Sequence, residues 1–286
     1  MRTRKRGLPA GWYPESGPEV ARLVEGWEAE AGRPGEGAAP VGAVAAIAPH
    51  AGWYFSGKLA WLAVRCLDPG AETVLVVGGH GAPGSPVRLA YEDAFETPAG
   101  ILGADAELAR SLADGLAAEG FALAPDDRAD NTVEIQLPLV AVRCPKARVV
   151  WLRVPNEARS VRAGSLAAGL ARRLGRKAVL LASTDLTHYG PNYGFEPAGS
   201  GRAALAWMER ENDRPILEAM VRMDEAETVR LGEERGAACS SGAAAAAIGF
   251  AREAGVSKGV VLAYSTSAAR SPSDSFVGYG AVAYRP

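Results

Sequence analysis

Three histidines, His50, His80 and His188, are all the imidazoles in this 286-residue chain. Each follows a run of small and β-branched residues: 41–48 (VGAVAAIA), 73–77 (TVLVV) and 178–183 (AVLLAS). Short apolar runs bounded by Gly, Pro or Asp read as buried strands. Each histidine therefore stands just past the carboxyl end of a strand. Imidazoles gathered at one such edge are ligands for a transition metal or groups that move protons. His50 and His80 supply two ligands, and the third position stays open between His188 and the thiolate of Cys239. Cys239 opens an alanine-rich helix, and a helix N-terminus lowers a thiol's pKa. Its other reading is a small buried residue that packs the helix start. Asp185, just before His188, orients an imidazole or caps the turn after its strand. The Gly52-Trp53-Tyr54 tail behind His50 reads as a pocket wall.

The elements that must position these groups alternate. Residues 18–31 read as a helix, followed by a Gly/Pro-rich loop at 32–40. After the strand at 41–48 comes a helix at 56–66, with Ser56 as its N-cap. The strand at 73–77 leads into Gly78-Gly79-His80-Gly81, where the glycines permit a sharp turn. Residues 86–98 form a hairpin or arm, and 105–119 an amphipathic helix. Residues 130–142 (DNTVEIQLPLVAV) start on capping residues and continue as a helix kinked at Pro138. A strand at 148–154, a helix at 160–174 and the strand at 178–183 come next. Helical segments at 202–212 and 214–223 precede the alanine-rich helix, which ends near Gly255. Strands at 259–265 and 277–284 close the chain, joined by a polar loop. Such alternation implies an α/β fold of a single domain over residues 1–286, a three-layer sandwich with a mostly parallel sheet and helices on both faces. Ligands of such sheets gather at the carboxyl ends of the strands, where all three histidines stand.

Several function classes are excluded. No GxGxxG follows the first strand, no GxxxxGK[ST] occurs, and Ser240-Ser241-Gly242 is not a GxSxG elbow. The Gly78–Gly81 loop has the look of an oxyanion loop, but no matching nucleophile lies downstream. Net charge is −2 with both signs mixed along the chain, which argues against nucleic-acid and membrane surfaces. The basic cluster at 2–6 (RTRKR) reads as a solvated N-terminus. No apolar run is long enough to span a bilayer, and the N-terminal residues offer no signal-peptide core. Cys66, Cys144 and Cys239 lack CxxC spacing, so a reducing cytoplasm is expected, and Cys66 and Cys144 read as structural.

As a set, the stretches 10–14 (AGWYP), 48–57 (APHAGWYFSG), 77–80 (VGGH), 133–138 (VEIQLP), 183–190 (STDLTHYG), Cys239 and 274–280 (DSFVGYG) resemble the Memo family. This is protein B of the AmmeMemoRadiSam system, and its fold is that of the class III extradiol dioxygenases (LigB-like). The resemblance implies His50, His80 and Cys239 as the metal ligands, where a true dioxygenase has two histidines and a glutamate. It places His188 at the dioxygenases' acid/base histidine, with Asp185 beside it and Trp12 at the pocket mouth. Asn131 stands where family members commonly carry a histidine, so with Glu134 it marks a cleft wall that has lost an imidazole. A thiolate keeps the −1 charge but softens the site, so Fe(II) or copper is expected, with zinc a further candidate. The implied functions are a redox or oxygenase-like role, a peptide- or protein-binding module using a vestigial cleft, and ring-cleaving dioxygenase activity. A small-molecule or peptide ligand is expected in the cleft, with AMMECR1-type and radical-SAM proteins as partners.

Overall fold

The computed structural model describes residues 2–30 and 41–286. The loop expected at 32–40 lies outside the described residues. In chain order, β1 (Thr3–Arg4) and α1 (Gly17–Glu30) precede β2 (Ala45–Ala48), α2 (Trp53–Cys66) and β3 (Thr73–Gly81). Then come β4 (Val87–Leu89), β5 (Ala94–Thr97), β6 (Gly100–Gly103), α3 (Ala106–Ala118) and β7 (Leu123–Pro125). The middle of the chain holds α4 (Asn131–Glu134), α5 (Leu137–Arg143), β8 (Arg148–Pro155), α6 (Val161–Arg173), β9 (Ala178–Ser183) and β10 (His188–Tyr189). The last part holds α7 (Gly201–Trp207), a π-helical turn (Met208–Asp213), α8 (Arg214–Arg222), α9 (Glu225–Arg235), α10 (Ser241–Glu253), β11 (Gly259–Thr266) and β12 (Phe276–Tyr284).

The main sheet runs β10-β12-β2-β9-β3-β8-β4-β7, with β11 on the other edge of β12. Its centre, β2-β9-β3-β8, is parallel. Antiparallel pairings flank that centre, through β12 on β2 and β4 on β8. Side chains alternate across the sheet. Ala45, Ile47, Leu75 and Val77 face α3, α6 and α10, while Ala46, Ala48, Val74 and Val76 face α1, α2 and α5. Both faces are covered, which is why the strands read as unbroken apolar runs. The alanines of α10 allow close helix packing, and its Ala246 and Phe250 backbone lies where a Cβ on Gly164 of α6 would fall. Among the described residues no helix is long and apolar enough to cross a membrane.

Four local expectations change. The second helix starts at Trp53 with Gly52 before it, and Ser56 instead donates its hydroxyl to Ala51 O at 3.0 Å from inside the first turn. The third strand continues past Val77 through His80, carried by Gly78 and Gly79. Residues 130–142 form two helices, because Pro138 is accepted in the first turn of a new helix more readily than inside an old one. Of the basic cluster at 2–6, Arg2 and Lys5 are exposed as expected, but Arg4 is docked on the body. Arg4 stacks on the Trp151 ring at 4.1 Å, and β1 pairs with β5. Sequence periodicity also passed over α9, which Asp224 caps by accepting from Glu227 N at 3.0 Å. Cys66 and Cys144 are buried as expected, and burial pushes the Cys66 thiol up to about 11.

Candidate metal centre

Register brings the site together. Ala48 lies beside Ser183, so the chain leaving β2 as Pro49-His50 runs alongside the chain leaving β9 as Thr184-Asp185. The Asp185 carboxylate accepts from His50 N at 2.6 Å and Ala51 N at 3.2 Å, which fixes the His50 backbone. Gln136 donates to Pro49 O at 2.8 Å and to Ser183 Oγ at 3.0 Å, and Asn131 donates to His50 O at 3.2 Å. His50 is buried, and its Nδ1 lies 3.3 Å from Ser183 Oγ. Nε2 is thereby left pointing toward the cleft.

His80 reaches the same point from β3. Gly79 adopts φ 122°, and a Cβ there would meet Val154 O at 2.6 Å, so only glycine fits. His80 Nε2 lies 3.2 Å from His50 Nε2, and the two rings meet edge to face. Cys239 arrives just ahead of α10. Its N–H donates to Asp185 O at 3.2 Å, and its carbonyl accepts from Asn156 Nδ2 at 3.1 Å. Cys239 Sγ lies 3.1 Å from His50 Nε2. The three ligand atoms all fall within 4.8 Å of one another. Separations of 3.2 and 3.1 Å are edges that ligands make when bound to one ion at about 2.0–2.3 Å. The donor set and its spacing therefore fit a transition metal. Of the two candidates for the third position, His188 and Cys239, it is Cys239 that joins the cluster.

His188 stands apart from that trio and lines the same cleft, which has a volume of about 680 Å³. Its Nδ1 lies 3.1 Å from Leu186 O, which places the proton on Nδ1 and leaves the Nε2 lone pair available. Burial lowers its pKa below the ordinary imidazole value. The nearby His50 and His80 act the same way, while Asp185 and Leu186 O pull in the opposite direction. The Tyr193 ring packs edge-on against His188, and burial together with Asp185 raises the Tyr193 hydroxyl's pKa.

Of the expected wall residues, Trp12 and Asn131 line the cleft. Trp53, Tyr54 and Glu134 do not. Successive helical side chains are ~100° apart, so a start at Trp53 turns Phe55 toward the cleft. Trp53 turns into the core, where its Nε1 donates to Ile135 O at 3.2 Å, and Tyr54 points to solvent. The buried Glu134 carboxylate accepts from Gly7 N and Leu8 N, both at 2.9 Å, and from Tyr13 Oη at 2.7 Å. It straps the N-terminal segment onto α4 and so holds neighbouring Trp12 at the cleft. Sequence reasoning missed Gln136 and Asn156, which act through backbone partners far away in the chain, and Ser183, whose hydroxyl meets the His50 and Gln136 side chains. It also missed Tyr279 and the serine-rich wall of Ser267, Ser271, Ser273 and Ser275.

Fold and site define a mixed α/β protein with a His/His/Cys cluster, spaced as metal ligands are, where its parallel strands end. The chain belongs to the Memo family, whose sequence profile, described as Memo-like protein, matches residues 4–283. A MEMO1 family protein of Pyrococcus abyssi is 30% identical over 288 residues, covering 96% of each chain. One from Thermococcus onnurineus is 30% identical over 256 residues, covering 84% of this chain and 86% of its own. One from Methanosarcina barkeri is 30% identical over 246 residues, covering 83% and 84%. The crystal structure of an uncharacterized Escherichia coli K12 protein shares the fold, with TM-score 0.54 and 12% identity over 84% of this chain and 99% of that one.

Proposed function

We propose that this Memo protein holds one transition-metal ion, Fe(II) or copper with zinc as a further candidate, on His50, His80 and Cys239, and uses it for redox or oxygenase-like chemistry. The observation that carries this reading is the mutual approach of the three ligand atoms within 4.8 Å, from three separate segments of the chain. Two imidazoles and one thiolate leave coordination positions open, through which a bound ion would supply Lewis acidity and, for iron or copper, one-electron chemistry. The chain's own residues do the rest. Asp185 holds the His50 backbone and, through its carbonyl, the Cys239 backbone. His188, kept neutral by burial, takes a proton from a cleft ligand at Nε2. Trp12 and Phe55 give the ligand an apolar wall and exclude water there.

Metal analysis of protein purified without oxygen and reconstituted with Fe(II), copper or Zn(II) tests the proposal. One ion per chain is expected, lost in His50→Ala and His80→Ala with folding intact. Failure of all three metals to bind would sink it. Oxygen uptake with catechols would extend the chemistry to ring cleavage. A second reading, a module gripping a peptide or partner protein, draws on the size of the cleft and its aromatic Trp12, Phe55 and Tyr193. Under that reading, a captured ligand survives chelation of metal and is lost in Trp12→Ala.

A further inference from the structure

Asp130 stands on the far side of His80 from the cluster. His80 turns Nε2 toward His50, and its Nδ1 lies 3.9 Å from Asp130 Oδ2, longer than a hydrogen bond but within reach of the carboxylate's charge. The His80 side chain is 42% exposed, so burial does little to fix its ring. Asp130, in contrast, is held on all sides. Its Oδ1 accepts from Thr132 N at 2.9 Å and from the Thr132 hydroxyl, and its Oδ2 accepts from Arg153 Nη1 at 2.7 Å. Arg153 is anchored in turn by Asp126, whose carboxylate also receives Trp151 Nε1 at 2.7 Å. Thr132 packs where a Cβ on Gly78 would fall, so the strand carrying His80 and the helix start carrying Asp130 touch. A carboxylate held this firmly defines a direction for the partly exposed ring beside it.

We infer that Asp130 is a positioning residue for His80. Its carboxylate attracts the Nδ1–H, selects that tautomer and keeps the Nε2 lone pair aimed at the point shared with His50 and Cys239. The assignment rests on the reading of His50, His80 and Cys239 as a metal site, and it extends that reading from the ligands to the charge that orders one of them. The Asp126–Arg153–Asp130 chain then has a functional end as well as a structural one. Arg153 carries one positive charge between two carboxylates, so the trio keeps a net negative charge facing the imidazole.

The test uses full-length protein and the Asp130→Asn variant. Asparagine keeps an N-cap acceptor for Thr132, so the helix start survives while the charge is removed. Nitrogen-15 NMR of the imidazoles in metal-free protein reads the His80 tautomer, with His80→Ala identifying its resonances. Wild type is expected to hold the proton on Nδ1, and Asp130→Asn to shift His80 toward Nε2–H. Titration with Zn(II) alone should then show about 10–100-fold weaker binding in Asp130→Asn, with Asp130→Glu recovering part of the loss. An unchanged His80 tautomer in Asp130→Asn, or equal Zn(II) affinity in the two proteins, would overturn the inference. Should wild type bind no metal, the metal reading falls by itself, and the tautomer still decides what Asp130 does.

Discussion

Replacing Asp213 by asparagine should remove most of one pH-dependent loss of stability. The π-helical turn delivers Asp213 to a fully buried position, where its carboxylate accepts from Thr187 N at 3.1 Å, the Thr187 hydroxyl and Tyr264 Oη at 2.7 Å. Burial pushes its pKa up from 3.8 to about 6, with Glu209 adding to the rise and the three hydrogen bonds opposing it. A raised acid pKa means that the folded state holds the proton more tightly than the unfolded state. The stabilisation is therefore complete below pH 3.8 and is lost as pH climbs through about 6. A rise of roughly two units corresponds to about 3 kcal/mol between the two limits. Asparagine cannot ionise, yet its amide oxygen still accepts from Thr187 and its NH₂ can donate to Tyr264. Urea unfolding of both proteins at a series of pH values from 4 to 8 reads the difference directly. Wild type should lose about 2–2.5 kcal/mol relative to Asp213→Asn across that range, most of it between pH 4 and 6. A gap between the two proteins that stays constant with pH would refute the reasoning.

Four further outcomes are expected. Glu134→Ala leaves Gly7 N, Leu8 N and Tyr13 Oη without their acceptor, and should cost about 3 kcal/mol in denaturant unfolding while metal stoichiometry is unchanged. Gly78→Ala drives a methyl into the Thr132 side chain and should cost about 1–3 kcal/mol and weaken metal binding by displacing His80, both measurable on purified protein. His188→Gln should retain the metal but lower any proton-transfer turnover by about 10²–10⁴-fold. Because burial holds His188 below 6.5, the rising limb of that turnover in wild type should fall below the ordinary imidazole range.

The His50/His80/Cys239 cluster was legible because its residue types are scarce and well placed. Three histidines each following an apolar run declare strand ends, and parallel strands put those ends on one side. Cys239 was marked by the helix it opens, although only the folded chain decided between it and His188. The cleft walls were harder to read. Trp53, Tyr54 and Phe55 are adjacent and all aromatic, and which one faces the ligand depends on the residue where α2 starts. Placing that start at Ser56 rather than Trp53 hid the contribution of Phe55. Gln136 and Asn156 left no readable pattern, since each acts on a partner distant in sequence, Pro49 or Cys239, and Asp130 was readable as a helix cap but not as a neighbour of His80. Arg4, within the basic cluster at 2–6, misled for a related reason. An arginine looks solvated until a tryptophan face such as that of Trp151 is available to receive it.

X-ray absorption at the edge of the bound metal, in wild type and in Cys239→Ser, tests the His50/His80/Cys239 centre most directly. Wild type should show one sulfur at about 2.3 Å together with imidazole nitrogens at about 2.0–2.1 Å, and the sulfur should vanish in Cys239→Ser. A metal environment without sulfur in wild type, or one unchanged by Cys239→Ser, would contradict the assignment.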